Sequence, residues 1–391
     1  MKIQLRMVMS EDDEINPVNK SVCVIFHGTA KEYFKIFIVN FLLTTITCGI
    51  YGAWALVRTK RYFYANTEIS GSRFSYHASG GSIFFSWLCL IALYIGWIMA
   101  ARAQSNVTLG CMLAVFILFF PYVVMHGLRF QAMMTELNGV RFNFKCAGLK
   151  GWWVILGCPL LMLLVLMFII VCSYFLLRDS AYVVGISVTL YIIGISIIRG
   201  IVYYLQVKLL YNNVSFGKHY FSTNICVMKC LQISSVSMLI LLPFLLLCIK
   251  IITPLFHQLA SGEISTQAED ISDLISQIAM CYGLFILGIL VSSIYSMVAL
   301  RKYVFSSTTL QDRVSFRSTL TFTGCLWQTL SNLLISVCTC WLAYPWAKVR
   351  YARYVAKNTW IDGDLEALDL QDHDEQPEGS IISRISRGLI L

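Results

Sequence analysis

Arg129-Phe130-Gln131-Ala132-Met133-Met134-Thr135-Glu136-Leu137-Asn138-Gly139-Val140-Arg141-Phe142-Asn143-Phe144 is the stretch whose reading decides the fold. Arg61-Tyr62-Phe63-Tyr64-Ala65-Asn66-Thr67-Glu68-Ile69-Ser70-Gly71-Ser72-Arg73-Phe74-Ser75-Tyr76 matches it 68 residues earlier, without a gap. Ser70-Gly71, Asn138-Gly139 and Asp362-Gly363 read as two-residue hairpin turns, because such turns need the positive φ that Asn and Gly accept. Phe74 alternates with Tyr76, and Phe142 with Phe144, as residues on one face of a strand do. Each motif therefore predicts a basic helix end followed by a short β-hairpin. Weaker copies contain Asn213, Ser215, Gly217 and Tyr220, then Lys302, Tyr303, Thr308, Leu310 and Asp312. A fifth holds Arg353, Tyr354, Asn358, Thr359, Ile361 and Gly363.

Outward from these motifs lie apolar runs. Seven are strong, at 82–101, 107–126, 152–177, 181–205, 231–256, 278–300 and 326–347, and 34–54 has the same composition. A helix crossing the hydrocarbon layer needs about 20 apolar residues. The chain is 58% hydrophobic and 13% charged, against about 25% charged for a soluble domain. The expected class is an all-α polytopic membrane protein with short β-hairpins on the cytoplasmic side. The first three motifs each precede a pair of runs, so motif plus helical hairpin reads as a unit repeated over 82–126, 152–205 and 231–300. The N-terminus lacks the apolar core of a cleavable signal peptide. Three regions follow: a polar segment 1–25, a membrane domain 26–363 and an acidic tail 364–391 expected to be disordered.

Basic residues cluster at 58–73, 129–150, 208–229 and 301–317, whereas loops 102–106, 178–180 and 257–277 carry few or none. The positive-inside rule assigns the basic group to the cytoplasm and gives six crossings between 82 and 300. The first and last runs are related to each other. Asn40, Thr47, Cys48, Trp54, Ala55, Val57, Arg58, Arg61 and Tyr62 recur 292 residues later as Asn332, Thr339, Cys340, Trp346, Ala347, Val349, Arg350, Arg353 and Tyr354. Each run is broken before its Trp, by Gly49 and Gly52 in one and by Pro345 in the other. The expectation is six transmembrane helices, as three repeated helical hairpins, flanked by two broken, partly inserted helices, with both termini cytoplasmic. The alternative is eight full crossings.

The stretch Phe26-x-Gly28, followed by Thr47-x-Gly49-Ile50-Tyr51-x-x-Trp54-Ala55-x-Val57-Arg58-x-x-Arg61-Tyr62-x3-Asn66-Thr67, resembles the YjgN-type family of bacterial inner-membrane proteins. The likeness extends from about Phe26 to Gly363. It departs at Cys48, where an apolar residue is expected, and at Gly52-Ala53, where the family more often has a Ser-Pro-like pair. The resemblance implies the inner membrane and a domain of unknown function. It implies no reaction, ligand or cofactor.

Candidate residues each carry two readings. Asn40, Thr44 and Thr47 share one helix face, and Asn332, Ser336 and Thr339 repeat the arrangement. They line a substrate path, or they hold helices together by hydrogen bonds. Arg58, Arg61, Arg350 and Arg353 bind an anionic ligand or lipid headgroup, or they anchor the interface and fix topology. Arg199 and Lys250 lie inside runs and reach toward their ends. Segment 264–277 reads as an amphipathic helix lying on the periplasmic surface. The fourteen cysteines lack a C-x-x-C pair and read as packing residues, with no metal site. The net charge of +9 sits beside membrane segments, which favours membrane lipids over nucleic acid as partner. No catalytic motif or paired membrane carboxylate is present, so an enzyme is not expected. A transporter or channel for a small molecule or ion leads; a scaffold or lipid-organising protein is the alternative, and a homo-oligomer is compatible with either.

Overall fold

The structure is a computed structural model that describes residues 21–102, 106–178, 180, 182–261 and 268–363. The two strongest motifs fold as read. Strand β3 (Thr67–Ile69) turns into β4 (Ser72–Tyr76), and β5 (Thr135–Leu137) into β6 (Val140–Phe144). The turn residues hold positive φ, 50° and 82° at Ser70-Gly71 and 53° and 78° at Asn138-Gly139. Strands β7 (Val214–Phe216) and β8 (His219–Thr223), and β9 (Thr308–Leu310) and β10 (Val314–Ser318), repeat the hairpin.

Asp362-Gly363 corrects the sequence reading. Asp362 ends β11 (Thr359–Asp362), whose hairpin partner comes from the opposite end of the chain. Ser21 of β1 (Ser21–Cys23) pairs with Asp362, while Ile25 of β2 (Ile25–Phe26) pairs with Glu68 of β3. Only Val24 separates β1 from β2, and its amide donates to the Thr359 carbonyl at 3.0 Å. The strand 21–26 thus joins both edges of one antiparallel sheet, ordered β1-β11-β10-β9-β8-β7-β6-β5-β4-β3-β2, and closes it into a ring. Closure removes the exposed edges that separate hairpins would leave.

The interior of the ring is apolar. Cross-strand partners Phe74 and Leu137, Phe142 and Phe216, Phe221 and Leu310, and Phe316 and Ile361 belong to one core cluster with Val24 and Ile69. The rings of Phe142 and Phe216 meet at 4.7 Å, and those of Phe221 and Phe316 at 5.8 Å, each pair tilted by 34°. The first aromatic of each motif, Phe74 or Phe142, therefore fills a small barrel, as side chains do in barrels of few strands, while Tyr76 and Phe144 pack in separate clusters with the helices.

Five units hang from the ring, not three. Each runs long strand, two helices, short strand. The helical pairs are α1 (Ala30–Ile46) with α2 (Gly52–Ala65), and α3 (Gly80–Arg102) with α4 (Asn106–Met133). Next come α5 (Gly148–Trp152) and α6 (Cys158–Leu176), joined by the π-helical turn Trp153–Gly157, with α7 (Val183–Tyr211). Then follow α8 (Val227–Ser261) with α9 (Ala268–Ser306), and α10 (Phe322–Cys338) with α11 (Tyr344–Lys357). One hydrogen bond recurs in every unit. The amides of His27, His77, Lys145, Asn224 and Thr319 donate to the carbonyls of Asn66, Met134, Asn213, Ser307 and Asn358 at 2.8–3.0 Å.

Among the described residues, five stretches are long and apolar enough to cross a bilayer: Val107–Met133, Gly148–Leu176, Val183–Tyr211, Val227–Pro254 and Leu274–Ser306. The 23-residue α3 is the hairpin partner of the first. Phe168, Leu176 and Ile286 point outward, as lipid-facing side chains do. Segment 264–277 is not a separate surface helix: from Ala268 onward it is the beginning of α9, and 264–267 lie outside the described residues. The acidic tail from 364 and the chain before Ser21 also lie outside them.

The first and last runs return to where they started. β2 and β3 flank α1–α2 and are paired neighbours, as are β10 and β11 around α10–α11. Each of these runs therefore folds as a helical hairpin whose two ends meet on the same ring, rather than as one straight helix. Helices α1 and α10 have 17 residues each, about 25 Å of rise against about 30 Å of hydrocarbon.

Candidate functional site

The two broken hairpins share one frame. Thr29 and Thr321 cap α1 and α10 by accepting from the amides of Glu32 at 3.3 Å and Gly324 at 3.2 Å. The first hairpin turns at Cys48 (φ 48°) and Gly49 (φ 92°), the second at Cys340 (φ 47°) and Trp341 (φ 66°). Pro345 does not make the break assigned to it; it sits in the first turn of α11, where proline fits a helix. Thr47 and Thr339 accept from the amides of Tyr51 and Ala343 at 3.0 and 3.1 Å, bridging each break. The carbonyls of Thr44 and Ser336 accept from the amides of Gly49 and Trp341, both at 2.7 Å.

Asn40 and Asn332 clamp the arms. The Asn40 amide donates to the Ala55 carbonyl at 3.2 Å, and that of Asn332 to the Ala347 carbonyl at 3.3 Å, each 15 residues on. Asn40, Thr44, Thr47 and Thr339 thus hold the hairpins in shape. Asn332 and Ser336 do so too, but they also face a cavity of about 550 Å³ between α9, α10 and α11. Ile294, Met297, Leu333, Trp341, Tyr344, Lys348 and Tyr351 complete its character.

The four arginines divide. The Arg61 guanidinium donates to the Ala78 carbonyl at 3.2 Å, and that of Arg353 to the Gly28 carbonyl at 3.1 Å. Both ties run from one unit to the start of the next. Arg350 donates to Ser331 Oγ at 3.0 Å and Asn332 Oδ1 at 3.2 Å, and lies over the Trp346 ring. Arg58 is exposed. Arg350 and Arg353 come together in a second cavity, of about 450 Å³, on another face of α11; Arg58 and Arg61 do not line it.

Two lysines escaped the sequence reading. Lys348 Nζ lies 5.7, 5.1 and 5.8 Å from the ring centres of Tyr33, Phe63 and Tyr344, an aromatic enclosure for a cation. Burial lowers its pKa. Burial and the Lys348 charge push Lys60 down to about 8. Their partners come from α1, α2 and α11, so the cluster was invisible along the sequence. Trp341 did leave a trace: it occupies the place of Gly49 in the related run.

The Lys60 shift fixes a sign. Its pKa in the fold is below the ordinary 10.5, so between pH 8 and 10.5 the unfolded chain holds more protons. Stability contributed by Lys60 is therefore expected to rise with pH across that window and to be flat below it. Thermal unfolding in detergent at stepped pH reads this, and Lys60→Met should remove that part of the slope.

Inside the bundle, Arg199 does not reach for the helix end. Its guanidinium meets Tyr203 Oη at 2.8 Å and Ser237 and Ser296 Oγ at 3.4 and 3.5 Å. Ser237 bonds Ser292 Oγ at 2.7 Å, and Ser234 donates to the Ser196 carbonyl at 2.7 Å. These bonds tie α7, α8 and α9 together.

Residues 22–385 match the family model described as bacterial protein of unknown function (DUF898). The chain belongs to this family. Among DUF898 relatives, the inner membrane protein YjgN of Escherichia coli O157:H7 is 38% identical over 381 residues, covering 94% of this chain and 95% of that one. YjgN of Escherichia coli strain K12 is 37% identical over the same shares. YjgN of Salmonella typhimurium strain LT2 is 35% identical, covering 95% and 96%. No solved structure matches the chain. These relatives are inner membrane proteins by name, and the described residues of this chain hold five stretches long and apolar enough to cross a membrane.

Proposed function

We propose that this protein is a six-crossing inner-membrane transporter whose ring and termini lie in the cytoplasm, and that it moves an anionic amphiphile. The basic segments beside the ring support that orientation. The carrying observation is the cavity of about 550 Å³ beside the second broken hairpin. Apolar Ile294, Met297 and Leu333 suit an acyl chain, while Asn332, Ser336 and Lys348 suit a charged head. Trp341 lines the same cavity at φ 66°. A bulky residue there carries strain of about 1–2 kcal/mol, and its counterpart is glycine, so the indole is kept for contact.

The route is lateral, from the bilayer between α9 and α10, because the ring axis is filled by phenylalanines. Vesicles containing the protein and a fluorescent anionic lipid test the proposal. Lys348→Gln and Ser336→Leu should each slow transfer between leaflets about tenfold or more. Wild-type vesicles that transfer no faster than protein-free ones end it. The second reading, a non-transporting scaffold, is favoured by the sealed ring and the ties between units. Folded protein that binds the lipid without moving it would support that reading.

A further inference from the structure

The second cavity lies at the seam where the fifth unit meets the first. It has a volume of about 450 Å³ and lies against a different face of α11 from the amphiphile cavity. Arg350, Arg353 and Lys357 face it from one stripe of α11, at i, i+3 and i+7. Thr29 and Ala30, the cap and first residue of the 17-residue α1, face it from across the seam. Gln328 completes the wall from α10. The residue is 6% exposed, and its Nε2 is buried without a hydrogen-bond partner. No carboxylate belongs to the lining.

Arg350, Arg353 and Lys357 bring positive charge to this space, and Gln328 carries an unpaired buried donor in its wall. A buried amide donor left unpaired costs about 1–3 kcal/mol. Gln328 was not selected for packing alone, since leucine would fill the same space without that cost. Arg353 spends one N–H on the Gly28 carbonyl, and Arg350 spends one terminal nitrogen on Ser331 and Asn332. Each retains further donors of its five. The first turn of α1 adds the positive end of a helix dipole at Ala30, the Thr29 and Glu32 amides being already paired with Tyr62 Oη and Thr29 Oγ1.

We infer that this seam binds a phosphate group. Its oxygens exceed what a single carboxylate offers, and they would engage Gln328 Nε2, the guanidinium groups of Arg350 and Arg353, and the Lys357 ammonium together. Such a ligand bridges α10 and α11 of the fifth unit to α1 of the first, and so fastens the ring at its closing seam. The phosphate belongs either to an anionic lipid headgroup or to a free phosphate ester. Trp346, 41% exposed, stands at the cavity rim. The site does not depend on the transport proposal: a chain that moves nothing would still bind phosphate here.

The test uses the full chain in nanodiscs of phosphatidylcholine alone. In one arm phosphatidylglycerol is titrated into the discs; in the other, glycerol phosphate is added to the buffer. Thermal unfolding reads binding in both. Wild type should gain stability in at least one arm, and a lipid-only or a soluble-ester response identifies the source. Gln328→Leu and Lys357→Gln should each weaken the response about tenfold. Lys357 is exposed, so its variant reports binding even if Gln328→Leu folds poorly. Lys302→Gln removes an exposed charge elsewhere and should leave the response intact. No response in either arm overturns the site. So does an equal loss in Lys302→Gln and Lys357→Gln, which would mean nonspecific charge.

Discussion

Val24→Pro is expected to abolish recovery of folded, monodisperse protein in detergent, although it changes one residue of a short strand. Val24 is 8% exposed, sits in the ring core and is the only link between β1 and β2. Proline removes the amide that donates to Thr359 at 3.0 Å, and a proline within a sheet lacks a ladder bond. The effect exceeds one bond, because β3 and β11 then become free edges and the first and fifth units lose their common strand. Val24→Ala keeps the amide and loses only packing, about 2 kcal/mol. The comparison separates closure from burial. Size-exclusion profiles and thermal unfolding of the two variants decide it. If the proline variant unfolds at the same temperature as the alanine variant, closure through residue 24 contributes nothing.

The contrast between these variants also shows what the sequence could and could not carry. The turn pairs Ser70-Gly71 and Asn138-Gly139 and the alternating aromatics were legible, because their causes are local. The pairing of strand 21–26 with β11 was not, since its partner lies more than 330 residues away and no local signal marks it. Val24 even breaks the aromatic rule that Phe74, Phe142, Phe221 and Phe316 obey. Three units were read where five exist because the first and fifth have helices too short to look like spans. Their relation to each other was legible through Asn40, Thr47, Asn332 and Thr339. Their relation to the long units showed only in the motif copies that follow them, at Arg61 and Arg353, and the recurring amide-to-carbonyl bond completes it. The ties made by Arg61 and Arg353 were not legible: both donate to backbone carbonyls of the following unit, and carbonyls leave no mark in a sequence. Lys348 and Gln328 act through surroundings assembled from separate helices. The placement of the break at Pro345 failed for a different reason: proline starts a helix as readily as it ends one.

Gly200→Val should be the most damaging single change within the bundle. A Cβ at Gly200 would lie 2.8 Å from Leu231 Cα and 3.1 Å from its backbone nitrogen. Backbone cannot swing aside as a side chain can, so α7 and α8 must separate. Overpacking of this kind costs about 1–3 kcal/mol on its own. Separation would also pull Ser234 from the Ser196 carbonyl and Arg199 from Ser237. Ser234 and Ser237 are fully buried, and each unpaired buried group adds about 1–3 kcal/mol. Gly185 provides the control on the same helix, because a Cβ there meets nothing within 4 Å. Thermal unfolding in detergent should leave Gly185→Val close to wild type and lower Gly200→Val far below it. Two variants melting together would mean that α7 and α8 tolerate separation, and that the serine network around Arg199 does not hold this bundle.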